Sequence, residues 1–367
     1  MKKIKITAVF GTRPEAIKMC PLILELQRRR EIELRVCLTG QHRDMVGVIM
    51  DKFGVAPDVD LDIMTNGQTL FDITERTMRG IQAELSTRAP NLLLVHGDTS
   101  SAFSAALAAF YMQVPVGHVE AGLRTKNLRS PFPEEFNRRA IDEISDLCFC
   151  PTERNLQSLL SEGKHKDSCF VTGNTVIDAV RYTTKGLTKS SSDRPRILMT
   201  IHRRESLGTR MKSILRGVLR SAQRYPALEI IFPMHPNPAV RESVREIFAT
   251  APENIRLIEP MDVFEFHKLL ASCHIVLTDS GGIQEEACAL GVPIILARDT
   301  TERAEAAECG AMIMAGTDEE NVFSCLCRLI ENKALREKMS LSENPFGDGH
   351  ACEKIADIII SKKYPLR

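Results

Sequence analysis

The sequence predicts an α/β protein made of two Rossmann-like halves, and three observations carry that expectation. Short apolar runs that end in glycine or a charged residue alternate with segments of helical period, the pattern of a parallel sheet covered by helices on both faces. The alternation pauses at TTKGLTKSSSDRP, Thr183 to Pro195, a polar stretch of linker composition, and then restarts. At 367 residues the chain exceeds the size at which one hydrophobic core keeps growing, so two domains are expected with a cleft between them.

The elements follow in order. ITAVF is a short apolar run and forms the first strand; it opens into FGTRPEAIKM, where a helix is expected from Pro14, whose fixed φ suits the first helical position, to about Arg29. Lys18, four residues beyond Pro14, can therefore face the same way as Arg13. LRVCLTG and LLLVHG are the next strands, a helix runs from Thr99 to Tyr111, and VPVGHVE is a further strand. After the linker the pattern resumes with RILMTIH, LEIIFPMH, IRLIEP, HIVLTDSGG and VPIILARD. The first loop is not a dinucleotide fingerprint: G-x-G-x-x-G is missing, and the single Gly11 is followed by Arg13 and Pro14.

Composition excludes several classes of function. The 48 basic and 48 acidic side chains cancel, which leaves no global field to draw nucleic acid or an anionic membrane. MKKIKITAVFG reads as a first strand and not as a signal peptide, and no window reaches the ~18 uninterrupted apolar residues of a membrane span. The 11 cysteines are scattered, with Cys148 and Cys150, and Cys325 and Cys327, as the nearest pairs, and there is no C-x-x-C. Reduced thiols in a cytoplasmic protein are expected, without disulfides or a metal site.

In open α/β sheets, ligands bind beyond the carboxyl ends of the strands. Those ends carry Gly11 to Arg13, His96-Gly97-Asp98, His118-Val119-Glu120, His202-Arg203-Arg204, His235, Asp279 to Gly282, and Arg298 to Arg303. HIVLTDSGGIQEEACALGVP is the most specific of them: a strand runs into Ser280, Gly281 and Gly282, and a helix is expected from about Ile283. Its free N–H groups and positive dipole end make a ready phosphate site, and Glu286, about one turn inside, is placed to accept both ribose hydroxyls. The same residues also read as a tight turn with Glu285 and Glu286 complementing the helix dipole, and both readings stand. Arg13 and Lys18 in the first half, with HRRE and Arg303 in the second, suggest a polyanionic ligand held between the domains. Asp98 and Glu120 close two strands of the first half, and SPFPEEFNRR adds Glu134 at a helix start. Asp98 also suits a helix cap, and Glu134 suits a cap paired with Arg138 at i+4. Three carboxylates near an anion site suggest proton transfer, with metal binding as the alternative although no hard-cation loop spacing appears.

FGTRPEAIKM, QHRDM, HGDTSSAFSAALAAFY, GHVEAGLRT, PFPEEFNRR, TGNTVID, HRRES, LTDSGGIQEEA, RDTTER and NPFGDG occur in that order along almost the entire chain. Together they closely resemble the non-hydrolysing UDP-N-acetylglucosamine 2-epimerases of bacteria. The resemblance implies the glycosyltransferase-B architecture: two Rossmann-like domains, a deep interdomain cleft and a C-terminal helix that crosses back to the first domain. Residues 1–172 with a helix at 353–367 would form the first domain and residues 173–352 the second. A homodimer, no cofactor and no metal are further implications.

The implied reaction is elimination of UDP to a 2-acetamidoglucal and re-addition, giving UDP-N-acetylmannosamine for cell-surface polysaccharide. The proton-handling roles fall jointly on Asp98, Glu120 and Glu134. Arg13, Lys18, Asp98, Glu120, Arg138, His202, Phe266, Ser280, Gly281, Gly282, Glu286 and Arg303 would contact the nucleotide sugar, with His202 stabilising the departing diphosphate. Glu285 should matter much less than Glu286, and Gly11 would leave room for the sugar-diphosphate. A second UDP-N-acetylglucosamine is implied as an activator near Gln41, Gln68 and His235. Two positions depart from the family pattern: Ala304 replaces the proline of TTERPE, expected to loosen the Arg303 loop, and Val263 replaces a tyrosine, expected to alter uracil packing near Phe266. The rival readings are a glycosyltransferase of the same architecture, a hydrolysing epimerase, an epimerase of a related UDP-2-acetamido sugar, and a binding or sensory protein.

Overall fold

The computed structural model describes residues 3–41, 43–125, 127–187 and 195–362, with the side chains of residues 43–45 and 204 outside the description. His42 of the QHRDM motif, most of the polar linker and residues 363–367 of the expected last helix therefore lie outside the described residues. The chain divides into two compact units, residues 1–179 with 347–367, and residues 180–346.

In the first unit the strands are β1 (Ile4–Phe10), β2 (Ile32–Leu38), β3 (Val59–Asp60), β4 (Leu92–His96), β5 (Val116–Val119), β6 (Leu147–Cys150) and β7 (Cys169–Val171). They are connected through helices α1 (Arg13–Arg28), α2 (Arg43–Phe53), α3 (Leu70–Thr87), α4 (Ser100–Tyr111), α5 (Glu134–Ile144) and α6 (Glu153–Ser161), and α7 (Thr175–Thr183) follows β7. The sheet order is β3-β2-β1-β4-β5-β6-β7, with every pair parallel.

The second unit repeats the plan with β8 (Arg196–Thr200), β9 (Glu229–Pro233), β10 (Ile255–Ile258), β11 (Ile275–Thr278), β12 (Ile294–Leu296) and β13 (Met312–Met314). Its helices are α8 (Thr209–Arg224), α9 (Pro238–Ile247), α10 (Val263–Ala271), α11 (Gly281–Leu290), α12 (Ala304–Glu308), α13 (Glu319–Glu331) and α14 (Lys333–Ser340). Its parallel sheet runs β10-β9-β8-β11-β12-β13. Both orders are the Rossmann order, in which the chain reverses its direction of winding between the first and fourth strands. The crevice at that reversal lies beyond β1 and β4 in one unit and beyond β8 and β11 in the other.

The expected strands are present, buried along nearly all of their length in β1, β4, β5 and β11, because both faces are covered by helices. Four short strands, β3, β6, β7 and β13, were not expected; two to four residues are too few for a periodicity to show. Helix starts differ by one or two residues. Thr12 and Glu15 form a capping box that makes Arg13 the first residue of α1 and Pro14 the second, and α11 begins at Gly281, ahead of Ile283.

The final helix, α15 (Ala351–Ser361), packs on α1, with Arg29 2.9 Å from Asp357. The Asp178 carboxylate of α7 accepts the N–H groups of Ala351 and Cys352 at 3.1 and 2.9 Å, which places the start of α7 with the first unit. Among the described residues no helix is long and apolar enough to cross a membrane, and none of the cysteines is in a disulfide.

Gly11 has a packing reason for being glycine. A Cβ at this position would lie 1.7 Å from Thr39 Oγ1 and 3.0 Å from Thr39 Cβ, and Thr39 is fully buried at the end of β2. The room at Gly11 is thus taken up by Thr39. Gly11→Ala is expected to lower stability by about 1–3 kcal/mol in urea unfolding, the cost of overpacking a tight site. In a Thr39→Ala background most of that loss should disappear; an equal loss in both backgrounds would reject the contact as its cause.

Candidate active site

At the first sheet's reversal point, the loops after β1 and β4 are tied together below the surface. Glu15 is buried and accepts the N–H groups of Gly11 and Thr12 at 2.9 and 2.8 Å, while Thr99 Oγ1 donates to its other oxygen at 2.7 Å. Burial pushes the Glu15 carboxyl upward, against those hydrogen bonds. Thr99 in turn caps α4 by accepting from Ala102 N–H, so the cap expected of Asp98 belongs to its neighbour.

Asp98 is left to project from the loop, where its carboxylate pairs with Arg138 and its carbonyl accepts from Asn137 Nδ2 at 2.9 Å. The expected Glu134–Arg138 pair is not what forms: Arg138 faces Asp98, with Glu135 Oε2 3.5 Å away, and Glu135 also accepts Thr125 N–H. Glu134 sits at the first position of α5, and its buried Oε2 meets no hydrogen-bond donor among the described residues.

Glu120 follows β5 with φ of 70°, in the left-handed region that a non-glycine residue enters only at a cost. Its carboxylate pairs with Lys18 of α1 and accepts from Asn174 Nδ2 at 2.8 Å. A Cβ on Gly97 would stand 3.6 Å from Glu120 Oε2, so the Glu120 carboxylate reaches the loop that carries Asp98. The structure thus brings Lys18, Asp98, Glu120 and Arg138 to one strand-end region of the first unit. Arg13 is half-buried at the start of α1. Gln41 Oε1 accepts from Ser101 Oγ at 2.7 Å, and Gln68 Oε1 closes a turn on Thr65 N–H at 3.3 Å.

At the reversal point of the second unit, the buried Asp279 carboxylate accepts the N–H groups of His202 and Arg203, the latter at 2.9 Å. His202 stacks on His235 at 5.3 Å. Ser280 stands at the N-cap position of α11 without a side-chain capping bond, and a Cβ on Gly281 would meet Glu302 Oε1 at 2.9 Å, Arg203 at 3.3 Å and Arg303 at 3.5 Å. Three guanidinium groups converge on Glu302: Arg203 at 3.1 Å, Arg298 at 2.9 Å and Arg303 at 3.2 Å. Burial alone would raise the Glu302 carboxyl; the three arginines outweigh it and bring it down to about 2. Arg298 Nε also lies 2.8 Å from Glu205 Oε1 as an ion pair, and Arg303 Nε donates to Glu285 Oε1 at 2.7 Å.

Glu285 is therefore a buried anchor for Arg303. Ala304 opens α12 directly after Arg303, and Arg303 is held by Glu285 and Glu302. Glu286 lies 3.5 Å from the buried His267, whose Nδ1 bonds Thr183 Oγ1 at 2.6 Å. Val263, the other departure, is a buried first residue of α10, and Phe266 is half-buried one turn on. Among the described residues no group of His, Cys, Asp and Glu has the makings of a metal site.

Sequence reasoning passed over Glu15, and it named Arg203, Asp279 and Glu302 only as members of strand ends, without the pairings that the structure gives them. HRRE and TTER carried a signal in their paired charges, whereas Glu15 looked like an ordinary first-turn acid.

Comparison with known proteins follows the same lines. A family model described as UDP-N-acetylglucosamine 2-epimerase matches residues 24–360. The UDP-N-acetylglucosamine 2-epimerase of Bacillus subtilis (strain 168) is 45% identical over 366 residues, 98% of this chain and 96% of that protein. The enzyme of the same name from Campylobacter jejuni is 43% identical over 376 residues, 98% of each chain. A crystal structure of UDP-GlcNAc 2-epimerase from Neisseria meningitidis, bound to UDP-GlcNAc, superposes with a TM-score of 0.90 at 42% identity, covering 98% of this chain and all of that one.

His96, at the end of β4, is buried 3.8 Å from Glu120 Oε2, and neither ring nitrogen has a hydrogen-bond partner among the described residues. Burial pushes it down to about 3 in spite of the Glu120 charge. Between about 6.5 and that value the unfolded chain binds the extra proton, so the contribution is full above about 6.5 and is lost as pH falls. His96→Gln should therefore lose less Tm than the parent between about pH 6.5 and 4 in a thermal series; parallel curves would exclude a buried neutral His96.

Proposed function

The chain belongs to the UDP-N-acetylglucosamine 2-epimerase family and is an isomerase, and from that premise we propose that it inverts C2 of UDP-N-acetylglucosamine without net hydrolysis. The C2 proton is not adjacent to a carbonyl and is only weakly acidic. When the C1–O bond to UDP breaks, positive character at C1 acidifies that proton, and loss of both groups yields UDP and a 2-acetamidoglucal. Returning UDP to C1 and a proton to the opposite face of C2 yields UDP-N-acetylmannosamine. What leaves in the first step returns in the second, so the scheme balances without an oxidant or a reductant.

Such a reaction needs a proton-handling group for each face and donors for the departing diphosphate. One observation carries the reading: Asp98 and Glu120 leave adjacent strands β4 and β5, and each is paired with its own cation, Arg138 and Lys18. Glu134, with an oxygen that lacks a donor, is the third member. In the second unit, the N–H groups opening α11 at Ser280, Gly281 and Gly282, with Arg303 and His202, are suited to the diphosphate, Glu286 to the ribose and Phe266 to the uracil. Arg13 is a further cation of the first unit. An activating second UDP-N-acetylglucosamine at Gln41, Gln68 and His235, a dimeric assembly and a role in supplying cell-surface polysaccharide precursors complete the proposal.

NMR of UDP-N-acetylglucosamine incubated with the protein in D2O should show deuterium at C2 and a mixture of the two epimers without any acceptor. Free N-acetylmannosamine with UDP would indicate the hydrolysing reaction, and product that forms only with an acceptor would indicate a transferase. Asp98→Asn and Glu120→Gln should remove exchange and leave UDP affinity within about threefold, since the uncharged isosteres keep the shape but not the base. Near-normal exchange in both variants would reject the proton-transfer role. Glu286→Ala is expected to weaken UDP binding by about 1.5–3 kcal/mol in calorimetry, the worth of a hydrogen bond to a charged group. An unchanged affinity would remove Glu286 from the ribose site.

A further inference from the structure

His118 is fully buried in β5 and has no part in the scheme above. Its Nδ1 lies 2.6 Å from Asp142 Oδ1 of α5, and its Nε2 lies 2.7 Å from the carbonyl oxygen of Gly97. A carbonyl oxygen accepts and cannot donate, and the same holds for an ionised carboxylate. Asp142 is ionised: Arg124 donates to its Oδ2 at 2.7 Å and Gly122 N–H at 3.2 Å. Burial alone would raise this carboxyl, but His118 and Arg124 outweigh it and hold it below the ordinary carboxylate value. Each ring nitrogen of His118 thus faces an acceptor oxygen at hydrogen-bond distance.

We propose that His118 is a buried imidazolium that acts as a positioning residue, fixing Asp98 and Glu120 for proton transfer at C2; the catalytic half of this proposal rests on the function proposed above. Gly97 has φ of 65°, and its carbonyl belongs to the peptide that leads into Asp98. A glycine there offers little conformational resistance of its own, so the bond from His118 supplies it. Asp142 is one turn beyond Arg138 on α5, and Asn137 and Arg138 already hold the carbonyl and carboxylate of Asp98. Through Asp142 and His118 the same helix reaches a third point, the Gly97 carbonyl.

On the other side, His118 and Gly122 both bond Asp142, so residues 118 to 122 close over one carboxylate with Glu120 between them in its costly backbone conformation. A neutral ring would leave one of two buried oxygens without a donor, on one side or the other of the loop pair that carries both carboxylates.

The direct test is a long-range proton–nitrogen correlation spectrum of protein labelled with nitrogen-15 histidine, recorded at neutral pH. One histidine with both ring nitrogens protonated is expected, and its signals should vanish in His118→Gln. A spectrum in which every histidine carries a single ring proton would overturn the charge assignment. Asp142→Asn keeps the shape but removes the charge that holds the imidazolium. It should lower kcat by about 100-fold, the scale of a misplaced catalytic group, with KM and UDP affinity within about threefold. His118→Gln, which can serve only one of the two oxygens well, should show the same split. Parallel losses of kcat, UDP affinity and Tm in both variants would mark a structural role and overturn positioning. Absence of C2 exchange in the parent protein would be a failure of the epimerase reading and would take the positioning role with it. A parent that exchanges, with Asp142→Asn unimpaired, would overturn positioning alone.

Discussion

Parallel strand pairing is the constraint on which the rest depends. Because all strands of a sheet run the same way, all their carboxyl ends emerge at one edge, and residues far apart in sequence are forced together there. The register that sets His96 opposite Val119 puts Asp98 and Glu120 each just beyond a neighbouring strand. Groups crowded in this way are partly desolvated, and a desolvated charge persists only with a partner. Lys18, Arg138 and Asn174 meet that need in the first unit, and the carboxylates of Asp279 and Glu302 meet it in the second.

The two units meet it differently. In the first, Asp98 and Glu120 face distinct cations, Arg138 on α5 and Lys18 on α1. In the second, one carboxylate, Glu302, organises three arginines, and Glu205 and Glu285 hold two of them from outside. The arginines are thereby fixed in direction, which a loose positive patch would not be.

Much of this was legible in the sequence because strand ends are local features: an apolar run followed by a glycine or a charge identifies both the element and the residue it presents. Asp98, Glu120, the Ser280 loop and the arginine-rich ends were found that way. What stayed hidden depended on partners distant along the chain. His118 and Asp142 are separated by 24 positions, Glu15 and Thr99 by 84, and Arg203 and Glu302 by 99. Nothing in HVEAG distinguishes a strand histidine that packs from one that bridges two oxygens. Gly11 is the converse case, since its meaning depends on Thr39, a residue that pattern alone assigns merely to the end of the next strand. Glu285 and Glu286 are adjacent acids whose partners, Arg303 for the one and His267 for the other, depend on which side of α11 each faces.

The return of α15 to α1 also makes the first unit a discontinuous one. Its sheet is complete once β7 has been made, yet the surface of α1 that receives α15 and the Asp178 carboxylate that caps it stay without their partners until the whole second unit has been synthesised. Chains emerge from the ribosome at about 5–20 residues per second and domains tend to form as they emerge. A nascent chain of this protein thus passes many seconds with its amino-terminal sheet assembled and the α15-facing side of α1 uncovered. The order of synthesis makes completion of the second unit a precondition for sealing the first.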